Sequence, residues 1–276
     1  MLLAQLELPD KFKDLREPQL EALHRIQRSN KRFILLQGPT GSGKSLLAAA
    51  TQKLLDTRLL YSCHTLQLQE QFLSDFHHDL KGQPFAVTLK GRANYPTLRF
   101  PRAFPRINGS MCTTSKEKHC RWCCDGECGG DNRCSAVFKC AYRLQKFSAK
   151  RSALAVVNMS FFLNEANYVG EFSGWPWLCL DEADLTEPAL MSFVELEITE
   201  HWIQRLGLSP PKFKTVEEAW VEWARTKALP AVRSELFYLE KQYGIQDLQR
   251  ENELKRMESK LGFFLQEVAN KGKWVF

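Results

Sequence analysis

The stretch Gly-Pro-Thr-Gly-Ser-Gly-Lys-Ser at residues 38–45 decides the fold of this 276-residue chain. Its spacing fits G-x-x-x-x-G-K-S, in which glycines let backbone N–H groups turn inward around phosphate oxygens. The apolar run FILL at 33–36 precedes it and predicts a buried parallel strand. A helix predicted from about Lys44 to Leu55 follows, and its N-terminal dipole would face the phosphates. This context predicts binding of ATP with Mg²⁺.

The residues of this phosphate loop have expected roles in holding the nucleotide. Lys44 is expected to pair with the β- and γ-phosphates, and Ser45 is expected to ligate Mg²⁺. The predicted ATP contacts of the loop are Gly38, Pro39, Thr40, Gly41, Ser42, Gly43, Lys44 and Ser45.

The segments around the loop alternate between helix and strand patterns. Apolar side chains at helical spacing predict one helix over 18–28 and another near 66–79. Short apolar runs predict strands near 59–63, 85–89, 153–157 and 177–180. Such alternation is typical of a doubly wound α/β domain with a parallel sheet. We therefore predict an α/β fold.

The C-terminal part of the chain has a mostly helical pattern. From about Leu185 onward, apolar residues recur at three- and four-residue spacing, most regularly over 254–268. Such a stripe is typical of the apolar face of a core helix, so no chemistry is assigned to it. We expect Trp202, Trp220 and Trp223 to pack in the same helical unit.

A second motif, LCLDEAD at 178–184, places acidic residues directly after an apolar strand. At the carboxyl edge of a parallel sheet, Asp181 would reach Mg²⁺ beside the phosphate loop, and Glu182 would orient or deprotonate the attacking water. A surface acidic cluster is the alternative, and the strand before it and the upstream loop disfavour that interpretation. Lys44, Asp181 and Glu182 are the predicted catalytic residues.

A third and weaker signal, LREPQ at 15–19, lies ahead of the first predicted strand. A glutamine amide both donates and accepts hydrogen bonds, so Gln19 is a candidate reader of adenine. Arg16 is a second candidate ATP contact in the same motif. An ordinary surface glutamine would give the same letters.

Charge is distributed unevenly along the chain. The net charge is +6, yet residues 81–160 hold 15 Lys and Arg against 4 Asp and Glu, a local charge of +11. A basic block of this length favours a nucleic-acid partner over an ordinary solvated surface. No apolar run approaches the roughly 18–20 residues needed to span a membrane, and no signal-peptide pattern is present. A cytoplasmic protein without membrane contact is therefore expected.

Seven of the nine cysteines lie between residues 112 and 140, in a segment rich in Pro, Gly and Arg. Thiols stay reduced inside cells, so we expect a metal site there rather than disulfides. The close pair Cys120 and Cys123 favours tetrahedral zinc, although thiolates suit zinc and iron alike. Cys63 and Cys179 lie in apolar strand-like runs and are expected to be buried, unreactive thiols.

The order of these motifs resembles the XPD/DinG-like family of superfamily-two iron–sulfur DNA helicases, and most closely its phage or bacterial members. Two departures from that pattern are Pro96, where many members have a cysteine, and Asp184, where histidine is common. The motifs that carry the resemblance are REPQ (16–19), GPTGSGKS (38–45), T-x-x-L-x-x-Q (65–71), LKGRANYP (89–96), CAYRLQK (140–146), VVNMSFFL (156–163) and DEAD (181–184).

The resemblance implies ATP-driven 5′→3′ movement on single-stranded or forked DNA. It implies a RecA-like domain in two parts, 1–90 and 151–188, an inserted iron–sulfur cluster domain at 91–150 and a helical arch domain at 189–276. It also implies a [4Fe–4S] cluster, with Zn²⁺ as the alternative. Its implied ligands are Cys112, Cys120, Cys123 and Cys140, with Cys134 as the substitute. The resemblance places Thr65 and Gln71 on the DNA side. Candidate phosphate contacts in the basic block, for each of which an ordinary surface residue is the alternative, are Arg92, Tyr95, Arg99, Lys139 and Arg143.

Helicases of this class need a second RecA-like domain, which supplies an arginine finger to the γ-phosphate. The sequence after Asp184 contains no second alternating α/β pattern. We therefore expect a monomeric fragment that binds ATP and DNA but requires that missing domain in cis for efficient hydrolysis. Two other classes stay open: a DNA-dependent P-loop ATPase that switches without moving, and a non-motor nucleic-acid-binding module with structural zinc.

Overall fold

The computed structural model describes residues 6–9, 11–12, 14–79, 81–98, 100–112, 139–241 and 247–269. Within the chain, two compact units are found, Met1–Leu190 (unit 1) and Met191–Phe276 (unit 2). Several residues with predicted roles lie outside the described residues, and they are Arg99, Cys120, Cys123 and Cys134.

Unit 1 is built on a four-stranded sheet in which all pairings are parallel, with the order β2-β3-β1-β4. The predicted α/β fold is therefore confirmed. The strands are β1 (Leu59–Cys63), β2 (Ala86–Leu89), β3 (Leu154–Asn158) and β4 (Trp177–Leu180). The helices are α1 (Glu17–Arg28), α2 (Lys44–Leu55), α3 (Leu66–Phe76), α4 (Ala141–Arg151), α5 (Met159–Asn164) and α6 (Thr186–Val194).

Strand β1 lies inside the sheet and is buried on both faces. Because side chains alternate along a strand, its odd-numbered residues belong to one apolar core and Leu60 to another. The first core includes Ala49 of α2 and Phe72 of α3, and the second includes Ala149 of α4. Helices therefore cover both faces of the sheet, as a parallel sheet with apolar strands requires.

A buried amide on α3 bonds to two neighbouring strands of the sheet. Gln69 of α3 is fully buried, and its Nε2 donates hydrogen bonds to the carbonyl oxygens of Leu89 at 3.0 Å and Val156 at 2.7 Å. These acceptors lie on β2 and β3, so one side chain holds α3 against two neighbouring strands.

The strand predicted at 33–36 is wrong. Phe33 and Leu35 are 82% and 86% exposed, and the run belongs to no strand. A strand needs a hydrogen-bonded neighbour, and every strand pairing among the described residues joins β2, β3, β1 and β4. The run is instead an extended segment that leads into the phosphate loop from outside the sheet.

Unit 2 is helical in its described residues. Its predicted stripe is buried along one face of the longest helix, where Leu254, Met257, Leu261 and Phe264 are at most 6% exposed. The tryptophans predicted to pack there do so, with Trp202 and Trp223 buried and Trp220 partly buried in the same core. The helices are α7 (Glu200–Arg205), α8 (Glu217–Trp223), α9 (Leu229–Lys241) and α10 (Asp247–Ala269).

Two indole N–H groups hold the loop that joins α7 to α8. Trp220 donates to the Lys214 carbonyl oxygen, and Trp223 donates to that of Ser209, each at 2.7 Å. Because a buried indole needs an acceptor, these bonds satisfy the tryptophans and fix the loop at the same time.

Candidate nucleotide and metal site

The phosphate loop ends where α2 begins, at Lys44. Gly41 and Gly43 have φ of +77° and +83°, a backbone conformation that costs residues with a Cβ about 1–2 kcal/mol. The ammonium of Lys44 donates to the carbonyl oxygens of Gly38 at 3.1 Å and Pro39 at 3.3 Å. The Lys44 ammonium therefore lies over the phosphate loop. This is the position required of a residue that pairs with phosphates bound there.

The predicted adenine reader, Gln19, contacts the phosphate loop in this structure. It is buried, its Nε2 donates to the Ser42 carbonyl oxygen at 2.7 Å, and its Oε1 accepts from the Arg16 backbone N–H at 2.8 Å. The guanidinium of Arg16 donates to the Gly41 carbonyl oxygen at 3.0 Å. The REPQ motif thus braces the loop from α1, and adenine reading by the Gln19 amide stays a prediction.

Tyr61, which the sequence analysis does not single out, lies between the phosphate loop and the acid motif. Its phenol donates to Asp181 Oδ2 at 2.6 Å, and the Ser45 side chain lies near the phenol oxygen. Burial is the largest cause that raises the pKa of Tyr61, and Asp181 raises it further. The phenol is therefore neutral and available as a donor. The phenol of Tyr61 is thus hydrogen-bonded to one of the two predicted Mg²⁺ ligands, Asp181, and lies near the other, Ser45.

The backbone after β4 fixes the direction of the acid motif. The Asp181 N–H donates to the Ser62 carbonyl oxygen at 2.9 Å, which continues the β1–β4 ladder one residue past Leu180. Asp181 Oδ1 accepts from the Glu182 N–H at 3.1 Å, and Glu182 has a φ of +49°. Such a conformation is costly for a residue with a side chain and persists only where the surroundings impose it. It turns the chain sharply and leaves Glu182 exposed.

The two cysteines of the strands lie near this carboxylate. Burial, and secondarily the charge of Asp181, raises the pKa of both Cys63 and Cys179 to about 12. Thiols with such a pKa are protonated at neutral pH and are poor nucleophiles. Cys63 is buried as predicted, and Cys179 is partly buried in the same strand environment.

Two predicted DNA contacts lie on α3. Thr65 is the N-cap of this helix, and its hydroxyl accepts from the Leu68 N–H at 3.1 Å. Gln71 is exposed, six residues after Thr65. Thr65 follows the carboxyl end of β1, and Asp181 follows the carboxyl end of β4. Since the two strands are parallel, both residues lie at the same edge of the sheet.

The other described candidates flank the cysteine-rich insertion. Arg92 donates to the Cys112 carbonyl oxygen at 3.4 Å, and its guanidinium lies over the Tyr142 ring, 5.6 Å from the centroid. Tyr95 packs edge-on against the same ring and accepts a hydrogen bond from the Lys90 N–H. Tyr142 lies two residues after Cys140, so Arg92 contacts residues at both ends of the cysteine-rich segment, residues 112–140. Lys139 is exposed and Arg143 is half-buried.

Two of the predicted cluster ligands are among the described residues. Cys112 and Cys140 are half-buried and lie at the two ends of the cysteine-rich segment, residues 112–140. Within the described residues, no three His, Cys, Asp or Glu side chains form a group that could hold a metal ion. The other predicted ligands lie outside those residues.

Comparison with known proteins identifies the first part of unit 1. Residues 12–103, which include α1, the phosphate loop, β1, α3 and β2, match the family described as "Type III restriction enzyme, res subunit". This match indicates the N-terminal domain of a superfamily-two helicase. A domain of this type implies ATP hydrolysis with Mg²⁺ and binding of nucleic acid.

No curated protein sequence matches the chain. Across the described residues, no helix has the length and apolar character to cross a membrane.

Proposed function

We propose that this chain is the ATP- and DNA-binding part of a 5′→3′ DNA helicase of the XPD/DinG-like iron–sulfur type. The observation that carries the proposal is the position of Tyr61, which donates to Asp181 Oδ2 at 2.6 Å and lies near Ser45. Two motifs separated by more than 130 residues thereby meet at one edge of a parallel sheet. In open α/β sheets, ligands bind at the carboxyl ends of the strands.

The residues at this edge fit the chemistry of ATP hydrolysis. Ser45 offers a hydroxyl and Asp181 a carboxylate, both hard oxygen ligands of the kind that Mg²⁺ prefers. Bound Mg²⁺ would supply charge neutralisation at the β- and γ-phosphates. Lys44 would pair with the same phosphates, and Glu182 would orient the attacking water. Arg16 and Gln19 would hold the phosphate loop in the conformation that binds the phosphates.

DNA is proposed to cross the same edge. Thr65 and Arg92 follow the carboxyl ends of β1 and β2, which run parallel to the strand that carries Asp181. With the DNA strand bound beside the nucleotide, ATP hydrolysis can change the affinity of the protein for DNA. The basic excess over 81–160 would neutralise backbone phosphates, with Gln71, Tyr95, Lys139 and Arg143 as further contacts.

An iron–sulfur cluster is proposed for the insertion. The chemistry of the donors fits, because thiolates are the usual ligands of [4Fe–4S] clusters. The contacts of Arg92 with Cys112 and Tyr142 support convergence of the two ends of the insertion, where the first and last ligands lie. The proposed ligands are Cys112, Cys120, Cys123 and Cys140, with Cys134 as the substitute and Zn²⁺ as the alternative metal.

The remaining parts follow from the same proposal. Unit 2 would be the arch domain that flanks the DNA strand. A second RecA-like domain would supply the arginine finger that completes the ATP site, so unwinding is a property of a chain with both domains.

The test measures three properties of the chain. A fluorescent ATP analogue should bind in Mg²⁺, and Lys44→Ala should abolish that binding while single-stranded DNA still binds. Anaerobically purified protein should be brown with iron near four per chain, whereas colourless protein with stoichiometric zinc would refute the cluster. Nucleotide binding that is unaffected by Lys44→Ala would refute the motor proposal and favour a non-motor module. With a second RecA-like domain present, strand displacement distinguishes a helicase from an ATPase switch.

A further inference from the structure

Tyr61 is a polar residue in the middle of an apolar buried strand. It is 2% exposed, and its ring packs against Phe72 with centroids 4.3 Å apart. A phenylalanine would fill this space equally well, because the ring makes the apolar contacts. A buried hydroxyl is unfavourable unless it forms hydrogen bonds, so the oxygen atom is the feature that needs an explanation.

The hydrogen bond of the phenol has a defined direction. A phenol has one proton, and the Asp181 carboxylate can only accept, so that proton goes to Oδ2 at 2.6 Å. The phenol is therefore the donor in this bond, and its position fixes where the Oδ2 atom of Asp181 lies.

The Asp181 carboxylate is held from two sides. Oδ2 accepts from Tyr61, and Oδ1 accepts from the Glu182 N–H at 3.1 Å. A carboxylate oxygen retains a second lone pair after it accepts one hydrogen bond, so each can still face a cation. The strand register explains why Tyr61 reaches the Asp181 carboxylate. Tyr61 pairs with Cys179, and Asp181 lies two residues after Cys179, just past the end of β4.

We propose that Tyr61 is a positioning residue for the divalent cation that accompanies the nucleotide. Its hydroxyl holds the Asp181 carboxylate in one orientation before the cation binds. This inference rests on the proposed nucleotide site and adds a residue to it. Tyr61 itself ligates nothing and acts through Asp181.

The experiment measures how strongly Mg²⁺ tightens nucleotide binding in Tyr61→Phe. The dissociation constant of 2′/3′-O-methylanthraniloyl-ATP is measured in EDTA and across a Mg²⁺ titration, for the full chain and each variant. Tyr61→Phe should leave the EDTA affinity within about twofold of the native chain. It should raise the Mg²⁺ concentration for half-maximal tightening by about tenfold, the effect of one lost hydrogen bond to a charged group.

Two further variants separate positioning from packing. Thr51→Val removes another buried hydroxyl from α2, where it donates to the Leu47 carbonyl oxygen at 2.7 Å, two turns from Ser45. It should not alter the Mg²⁺ dependence even if it lowers thermal stability equally. In Asp181→Ala, the additional change Tyr61→Phe should have less effect than in the native chain, because Tyr61 acts through the Asp181 carboxylate.

Each result has one meaning. No nucleotide binding by the native chain would refute the proposed function itself. Native binding with an unchanged Mg²⁺ dependence in Tyr61→Phe would refute the positioning role alone. A lower Mg²⁺ requirement in Tyr61→Phe would also refute it, because the phenol would then compete with the cation. Equal effects in Thr51→Val would identify a general loss of packing.

Discussion

The brace between Gln19 and the phosphate loop can be tested with a pair of glycine substitutions. A Cβ built on Gly43 lies 2.4 Å from Gln19 Nε2, whereas a Cβ on Gly41 has no heavy atom within 4 Å. Both glycines have positive φ, at +83° and +77°. Gly41→Ala therefore introduces backbone strain alone, and Gly43→Ala introduces the same strain together with displacement of the Gln19 amide.

The expected magnitudes follow from these contacts. Strain in the left-handed region costs an alanine about 1–2 kcal/mol, and this applies to both variants. Displacement of Gln19 breaks its bonds to Ser42 and Arg16, which are 2.7 and 2.8 Å long. Each such bond contributes about 0.5–1.5 kcal/mol, so Gly43→Ala should lower the free energy of unfolding by about 1–3 kcal/mol more than Gly41→Ala.

The assay must report on unit 1 alone, because the chain has two compact units. Urea-dependent hydrogen exchange, read by mass spectrometry on peptides that cover α2, satisfies this requirement. In a Gln19→Ala background the excess cost of Gly43→Ala should disappear, since the displaced amide is already absent. Equal costs for the two glycines, or an excess that persists without Gln19, would refute the brace.

Three other predictions concern different parts of the chain. Leu261→Ala should destabilise unit 2 by about 2–5 kcal/mol in urea denaturation, because Leu261 is fully buried in its core; a loss under 1 kcal/mol would contradict this. Cys63, with its raised pKa and full burial, should resist iodoacetamide at pH 8 until urea is added, as read by mass spectrometry. Burial opposes ionisation of Glu171, but hydrogen bonds from Lys146 and Lys150 hold its pKa below the ordinary value. Its contribution to stability is therefore present above about pH 4.3 and is lost as the pH falls below that value. Glu171→Gln should reduce the change in the free energy of unfolding of unit 1 as the pH falls below about 4.3.

Phosphate chemistry explains why part of the site could be predicted from sequence. Binding phosphates requires glycines, a lysine and a hydroxyl at fixed spacing, so residues 38–45 carry their meaning locally. The helix after the loop has the predicted bounds, Lys44–Leu55, because both flanking residues, Gly43 and Asp56, adopt left-handed conformations. The acid motif was recognisable for a similar reason, since a run of apolar residues ended in acids.

Features that depend on distant neighbours could not be predicted in the same way. The burial of 33–36 would require a neighbouring strand, and an apolar run does not specify one. Tyr61 acquires its partner Asp181 only through the register of β1 with β4, which the letters LLYSC do not encode. The role of Gln19 at the loop likewise arises from the packing of α1 on α2, whereas its amide alone also fits adenine or solvent.

The sheet order has a consequence during synthesis. Both partners of β1 come from later in the chain, and the first of them, β3, begins at Leu154, roughly 90 residues after Cys63. At about 5–20 residues per second, β1 leaves the ribosome about 5–20 s before it can pair. During that interval an apolar strand with unpaired N–H and C=O groups is exposed. Expression at low temperature or with excess chaperone should therefore increase the folded yield of this protein.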